Sequence, residues 1–344
     1  MIPIEILKQV SVVYCHGHCP DGLASAMILK DAFRMLGMEP KIEFVAHDTP
    51  EYKIAGVDGL APDRPLFCDI APSDYARQIV EARGGIVLDH HVGKKEIVET
   101  FGELGVYADA EKEPGVSGAV LAFREVFQAV VRTISNEDYA NAHVARIADF
   151  ADAIGARDTW RTDHPLFMNG QWISKLIMSK PAEHWLEHGP VISATEIAVG
   201  QALFEAHMNA VREAVDQCVY YLIPINETGD QISIAVFQEQ SSGFRLSSDV
   251  AEHLRQIDED KKDEEDWERV DVIAGFSFFV DEPGDDPRVI YSLRGNHGFD
   301  VCEFAKLNGG GGHKAMAGFS VAADLGNCTP YEYIRQALKE FLVG

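Results

Sequence analysis

The sequence predicts an α/β protein: an N-terminal parallel-sheet domain over residues 1–190, a helical linker over 191–224, and a smaller C-terminal α/β domain over 225–344. Three observations carry this. Short apolar runs alternate with helical stretches up to His91, the pattern of βαβ units with right-handed crossovers. Several of those runs stop abruptly at His or Asp, as strands do when their carboxyl ends line a site. A second set of strand-like runs begins only after a long amphipathic stretch.

Val10 to Cys15 is the first strand, ending in His16-Gly17-His18-Cys19-Pro20-Asp21-Gly22. Leu23 to Phe33 then reads as a helix closing near Gly37. The loop sets two histidines and an aspartate at a helix N-terminus, which suits a phosphate. It is equally a capped turn with Asp21 as N-cap. Lys41 to Ala46 is a second strand, ending at His47-Asp48, and Pro65 to Cys68 a third, ending at Asp69. Ser73 caps a helix over 74–83. The glycine pair Gly84-Gly85 leads into Ile86-Val87-Leu88, a buried strand that stops at Asp89-His90-His91. Three such residues cannot continue a dry strand without partners. An Asp-His-His at a strand end is well placed to bind metal.

Helices are expected over 115–131 and 138–154, with Asp158 in the loop that follows. Asp158 is a candidate ligand or a plain turn aspartate. His184-Trp185-Leu186-Glu187-His188 matches the metalloprotease pattern H-x-x-E-H, but Gly189-Pro190 ends the helix where a zinc site would need support. A helix over 194–221 bridges the two domains. Strands follow over 232–237, 270–280 and 288–293, the last two flanking a hairpin loop at 281–287, with a helix over 246–257. The run from Asp258 to Asp266 reads as a mobile solvated loop. Gly309-Gly310-Gly311-Gly312-His313 leaves backbone N–H groups free to approach an anion, and Arg294 and His313 add charge-assisted donors. Thr329-Pro330 opens a last helix through Leu342.

Composition sets limits. Of 344 residues, 46% are hydrophobic, enough for two cores. No apolar run reaches the roughly 18–20 residues of a membrane span, and no signal-peptide pattern opens the chain, so a cytoplasmic protein is expected. Six scattered cysteines include no C-x-x-C pair, and Cys15, Cys68 and Cys218 read as packing residues. The net charge of -25 argues against binding long duplex nucleic acid. It leaves short phosphate compounds open, because divalent metal reverses the local field.

Taken together, these residues resemble the DHH phosphoesterase superfamily with a C-terminal DHH-associated domain of the G-G-G-H type. The resemblance spans nearly the whole chain: His16 with Asp21-Gly22, Asp69, Asp89-His90-His91, Arg157 to Trp160, Arg294, and Gly309 to His313. Ser117-Gly118-Ala119 also looks like a segment of the nanoRNase-like branch. The resemblance implies divalent metal, typically manganese, as one or two ions, with other divalent ions possible. It implies metal ligation by His16, Asp21, Asp69, His90 and Asp158, with Asp69 as bridge. Asp89 and His91 would complete the catalytic set, Asp89 orienting the site and His91 facing phosphate. His91, Arg294, Gly310, Gly311, Gly312 and His313 would grip substrate. The chain departs from the common Asp-x-Asp first motif by having Cys19 in its first position. Either Cys19 ligates a softer ion, or His18 substitutes, or that ion binds weakly, or Cys19 only packs.

Such ions activate water for in-line attack on phosphorus, so no covalent protein nucleophile is needed. The expected function is a metal-dependent phosphodiesterase or 3′ exonuclease acting on short oligonucleotides. The alternatives are a phosphatase on 3′-phosphorylated nucleotides, a cyclic-dinucleotide phosphodiesterase, or a nucleotide-binding protein that has lost activity. Similar proteins often form homo-oligomers.

Overall fold

The structure, a computed structural model, describes all residues except 48, 58–63, 110–111, 134–136, 227–228, 240–245, 265–266, 281–285, 327 and 344, and omits the side chains of 137–140, 142 and 313. The expectations placed on Asp48, on Glu265 and Asp266, on most of the 281–287 loop and on the His313 side chain therefore lie outside the described residues. The chain divides into two units, Met1–Phe204 and Glu205–Gly344.

Unit 1 runs α1 (Ile4–Leu7), β1 (Val10–His16), α2 (Pro20–Met35), β2 (Lys41–Val45), α3 (Pro50–Ile54), β3 (Arg64–Cys68), α4 (Arg77–Ala82), β4 (Ile86–Asp89), α5 (Lys95–Glu99), β5 (Gly105–Tyr107), α6 (Gly118–Leu121), a π-helical turn (Ala122–Phe127), α7 (Gln128–Val131), α8 (Glu137–Asp158), α9 (Phe167–Ile177) and α10 (Ala182–His188). The division between units falls inside α11 (Ala194–Asp216). The five strands form one wholly parallel sheet in the order β2-β1-β3-β4-β5. Their alternation feeds two cores. Val13, Cys15, Leu66, Cys68, Ile86 and Leu88 pack on one face, and Tyr14, Phe67 and Val87 on the other. Helix α2 is buried on nearly every side, from Leu23 to Phe33. In this strand order the chain reverses direction between β1 and β3, and the carboxyl ends of that pair frame the crevice where open α/β sheets bind ligands.

Unit 2 contains the end of α11, then β6 (Val219–Pro224), β7 (Gln231–Gln238), α12 (Ser247–Asp260), β8 (Val272–Phe279), β9 (Arg288–Gly295), α13 (Val301–Leu307), β10 (Gly311–His313), β11 (Met316–Ala322) and α14 (Pro330–Val343). Its mixed sheet has the order β10-β11-β9-β8-β7-β6, with only β7 and β8 parallel. Phe276, Tyr291, Leu293 and Phe319 pack with α13 and α14 on one face, while Ala235, Phe237 and Ile273 pack with α11 and α12 on the other. Thr329 closes a capping box with Glu332 at the start of α14, as expected.

Several elements differ from expectation. Helix α11 ends at Asp216, and Val219–Pro224 is a strand, so the stretch 191–224 is not helical throughout. Tyr220, Tyr221, Leu222 and Ile223 suit a strand better than a helix and pair with β7. Helix α8 continues to Asp158, which is therefore helical rather than in a loop. Cys19, not Asp21, is the N-cap of α2; Pro20 takes the first turn, where its missing N–H is harmless. Asp258 is not part of a solvated loop: it lies in α12 and is buried. Of the four glycines, Gly309 and Gly310 donate their N–H groups to Lys306 and Ala305 in a Schellman cap on α13, so those two are not free for an anion. Among the described residues no helix is long and apolar enough to cross a membrane.

Candidate metal centre

The carboxyl ends of β1, β3 and β4, with the N-terminal turn of α2 and the last residue of α8, bring seven of the sequence-selected residues together. Ligand atoms lie within 4.8 Å of one another in three overlapping groups: His16, Cys19 and Asp69; Asp69, His90 and His91; Asp21, His90 and Asp158. His90 is the hub. Its Nε2 lies 3.1 Å from Asp69 Oδ1, 3.5 Å from Asp158 Oδ2 and 3.7 Å from Asp21 Oδ2. His18 is exposed and joins none of these groups. Arg294, Gly310, Gly311, Gly312 and His313 belong to unit 2, where Arg294, Met316 and His313 occupy one cross-strand row of β9, β11 and β10. The Arg294 guanidinium donates to Ser248 Oγ and to the Leu293 carbonyl. Among the described residues the H-x-x-E-H segment forms no metal site. His188 pairs with Glu196, and Glu187 with Lys30 and Arg34.

Each cluster member is held by a specific device. Asp21 is buried and accepts from Ser117 Oγ (2.7 Å), Gly118 N–H (2.6 Å) and Ala119 N–H (3.0 Å), so the N-terminus of α6 grips it. Only glycine fits at 118: a Cβ there would stand 2.4 Å from Asp69 Cβ. Asp69 sits just past β3 in the left-handed region (φ 62°), which aspartate tolerates better than most residues. Asp89 accepts from the His90 and His91 N–H groups and faces His91 Nδ1 at 2.7 Å. That contact fixes the imidazole from behind.

The electrostatics call for positive charge. Burial and the Asp21 charge hold Asp69 well above the carboxylate range. Burial and Asp21 likewise push Asp158 up to about 6. Burial opposes a charge on His90, yet the bond to Asp69 and the neighbouring carboxylates push it up to about 10. The crowded carboxylates and His90 thus favour positive charge at the centre of the cluster. Burial and the Asp69 charge keep the Cys19 thiol protonated. Asp69 Oδ2 and His16 Nδ1 are buried without a hydrogen-bond partner and lie 3.7 Å apart, too far to bond each other. Two orphaned lone-pair atoms side by side, in a set of carboxylate oxygens and imidazole nitrogens, fit a divalent cation.

Sequence reading missed two contributors. The His47 ring lies 5.2 Å from His16 and 6.2 Å from His91, and its only signal was its place at the end of β2. Tyr52 stands 5.0 Å behind His47 and accepts from Lys94 Nζ, with no sequence signal at all. Trp160 has φ 55° and is 47% exposed, just beyond Asp158. It occupies the left-handed position of a second Schellman turn: Trp160 N–H donates to Arg157 and Arg161 N–H to Ala156. A bulky residue there costs roughly 1–2 kcal/mol.

No protein-family profile matches the sequence. In sequence the chain is 21% identical over 341 residues to the uncharacterized protein R106 of Acanthamoeba polyphaga mimivirus, covering 95% of this chain and 70% of that protein. Solved structures resemble it in fold. They include the DHH domain of a member of a ribosomal protein family (TM-score 0.55, 14% identity, 98% of this chain and 88% of that one). The exonuclease RecJ bound to manganese gives a TM-score of 0.53 at 16% identity, over 98% of this chain and 92% of that one. The pGpG-specific phosphodiesterase PggH from Vibrio cholerae gives 0.51 at 11% identity, over 97% and 98%. The parallel sheet of unit 1 and the mixed sheet of unit 2 are thus a fold shared with these solved structures, a DHH domain among them.

Proposed function

We propose that the chain is a divalent-metal-dependent phosphodiesterase that hydrolyses short oligonucleotides as a 3′ exonuclease. The observation that carries this is the convergence of Asp21, Asp69, His90 and Asp158 with the orphaned atoms of Asp69 and His16. His16, Asp21, Asp69, His90 and Asp158 would hold one or two ions, manganese first among candidates. Asp69 would serve as the shared ligand, because its carboxylate offers one oxygen on the His90 side and a second, unpartnered one on the His16 side. When bound, the ions supply activated water at neutral pH and charge neutralisation at phosphorus.

The chain's own residues do the rest. Asp89 fixes His91 through Nδ1 and leaves its other nitrogen to meet a substrate phosphate oxygen. Arg294, with Gly311, Gly312 and His313, is assigned to substrate phosphate binding. The charge of -25 favours short substrates over long polymers, and the resemblance in fold to a phosphodiesterase named for pGpG and to a manganese-bound exonuclease supports the same class.

The test is hydrolysis with manganese of three substrates in parallel: a labelled RNA ladder from dimer to 24-mer, 3′-phosphoadenosine phosphate and a cyclic dinucleotide. Stepwise loss of the shortest oligomers is expected. Phosphate release from the mononucleotide alone would reassign the protein as a phosphatase, and no turnover of any with metal bound would overturn the oligonucleotide assignment and leave an unusual substrate or a binding protein.

A further inference from the structure

The Schellman turns that end α8 and α13 share one hydrogen-bond pattern but differ at the left-handed position. Helix α13 has Gly309 there (φ 77°), the residue for which the conformation carries no steric cost. Helix α8 has Trp160 (φ 55°), among the largest side chains the position can hold. The ring does not repay this by burial: it is 47% exposed, and its aromatic neighbour Phe167 meets it edge-to-face at 5.6 Å and 86°. A strained conformation kept for a half-exposed aromatic is a feature that stability does not explain. Asp158, two residues earlier, is in contact with His90.

We propose that Trp160 is a stacking platform for a nucleobase of the nucleotide whose phosphate engages the Asp158–His90 cluster. Phe167 holds the ring in an edge-to-face contact while the side chain stays half exposed, as base stacking needs. The Schellman turn ties its backbone rigidly to Asp158, so base and phosphate are read by adjacent residues of one helix end. Stacking is tolerant of base identity, so the platform selects nucleotides over other phosphate esters without choosing among bases. The ligand class rests on the phosphoesterase reading above, but the test does not require turnover.

The experiment titrates the calcium-loaded full chain with adenosine 5′-monophosphate and, as a base-free control, ribose 5-phosphate, following tryptophan fluorescence and thermal midpoint. The nucleotide is expected to bind at least roughly tenfold more tightly than the sugar phosphate and to quench fluorescence. Trp160→Gly is expected to abolish both preference and quenching while the midpoint holds or rises, because glycine relieves the left-handed strain. Trp160→Phe should retain most of the preference. Unchanged discrimination in Trp160→Gly would overturn the proposal, as would a fall in its midpoint, which would make the ring structural. Absence of nucleotide preference in the wild type would overturn it too. Failure of the hydrolysis panel with this preference intact would remove the oligonucleotide assignment and leave the platform standing.

Discussion

Asp69 in unit 1 and Asp258 in unit 2 are both buried, and both face a histidine. Asp258 has every oxygen in use: Oδ1 accepts from Trp267 Nε1 at 3.0 Å, and Oδ2 from Val270 N–H at 3.1 Å with His297 Nε2 at 3.2 Å. It ties the end of α12 to the start of β8, and nothing about it asks for a ligand. Asp69 has one oxygen on His90 and the other on nothing, with the equally orphaned His16 nitrogen nearby. A buried Asp–His pair is therefore not in itself a site. What separates the functional cluster from the structural one is its unsatisfied atoms, which cost stability unless something else completes them.

The largest expected effect comes from Asp69→Ala. Manganese affinity should fall by more than the roughly 10–100-fold that loss of a merely supporting group costs, and hydrolysis should disappear. Manganese at about 100 times its Kd should stabilise the wild type by about 2.7 kcal/mol and the variant hardly at all. Calorimetry with and without metal reads both, and a variant that binds manganese normally would erase the distinction drawn here.

Asp258→Ala should behave in the opposite way. Leaving the Trp267 and Val270 donors without an acceptor should cost about 1–3 kcal/mol in urea unfolding, with manganese affinity unchanged. A metal-binding defect with full stability would reverse the two assignments. The smallest effect is expected from Cys19→Ser. Its Sγ sits among the candidate ligand atoms, but a hard divalent ion prefers the carboxylates and imidazoles beside it, so metal affinity should change by less than roughly tenfold. A larger loss would promote Cys19 from neighbour to ligand.

Much of unit 1 was legible because its signals are local. An apolar run followed by His or Asp is visible in the chain at His16, Asp69 and Asp89, and strand–helix alternation fixes where such ends must gather. Less of unit 2 was legible. The glycines of β10 carry no side-chain pattern, so neither their pairing with β11 nor the use of two amides in a cap could be read. Asp258 stands in a run of nine residues that are all charged, and only the fold brings Trp267 and His297 to it. No glycine or proline stands between Asp216 and Val219 to mark a break, which hid the end of α11. His47 and Tyr52 join the site through ring packing across elements, which no spacing in the sequence encodes.

The grip of Ser117, Gly118 and Ala119 on Asp21 links residues 96 to 98 positions apart. Closing so long a loop costs entropy that only the folded domain offsets, so the link breaks whenever the domain opens around it. The Gly118 and Ala119 amides, bonded to a carboxylate in the interior, thus act as built-in reporters. Their hydrogen-exchange rates measure how often the centre opens, with no substrate and no label, in any solution where the chain is folded.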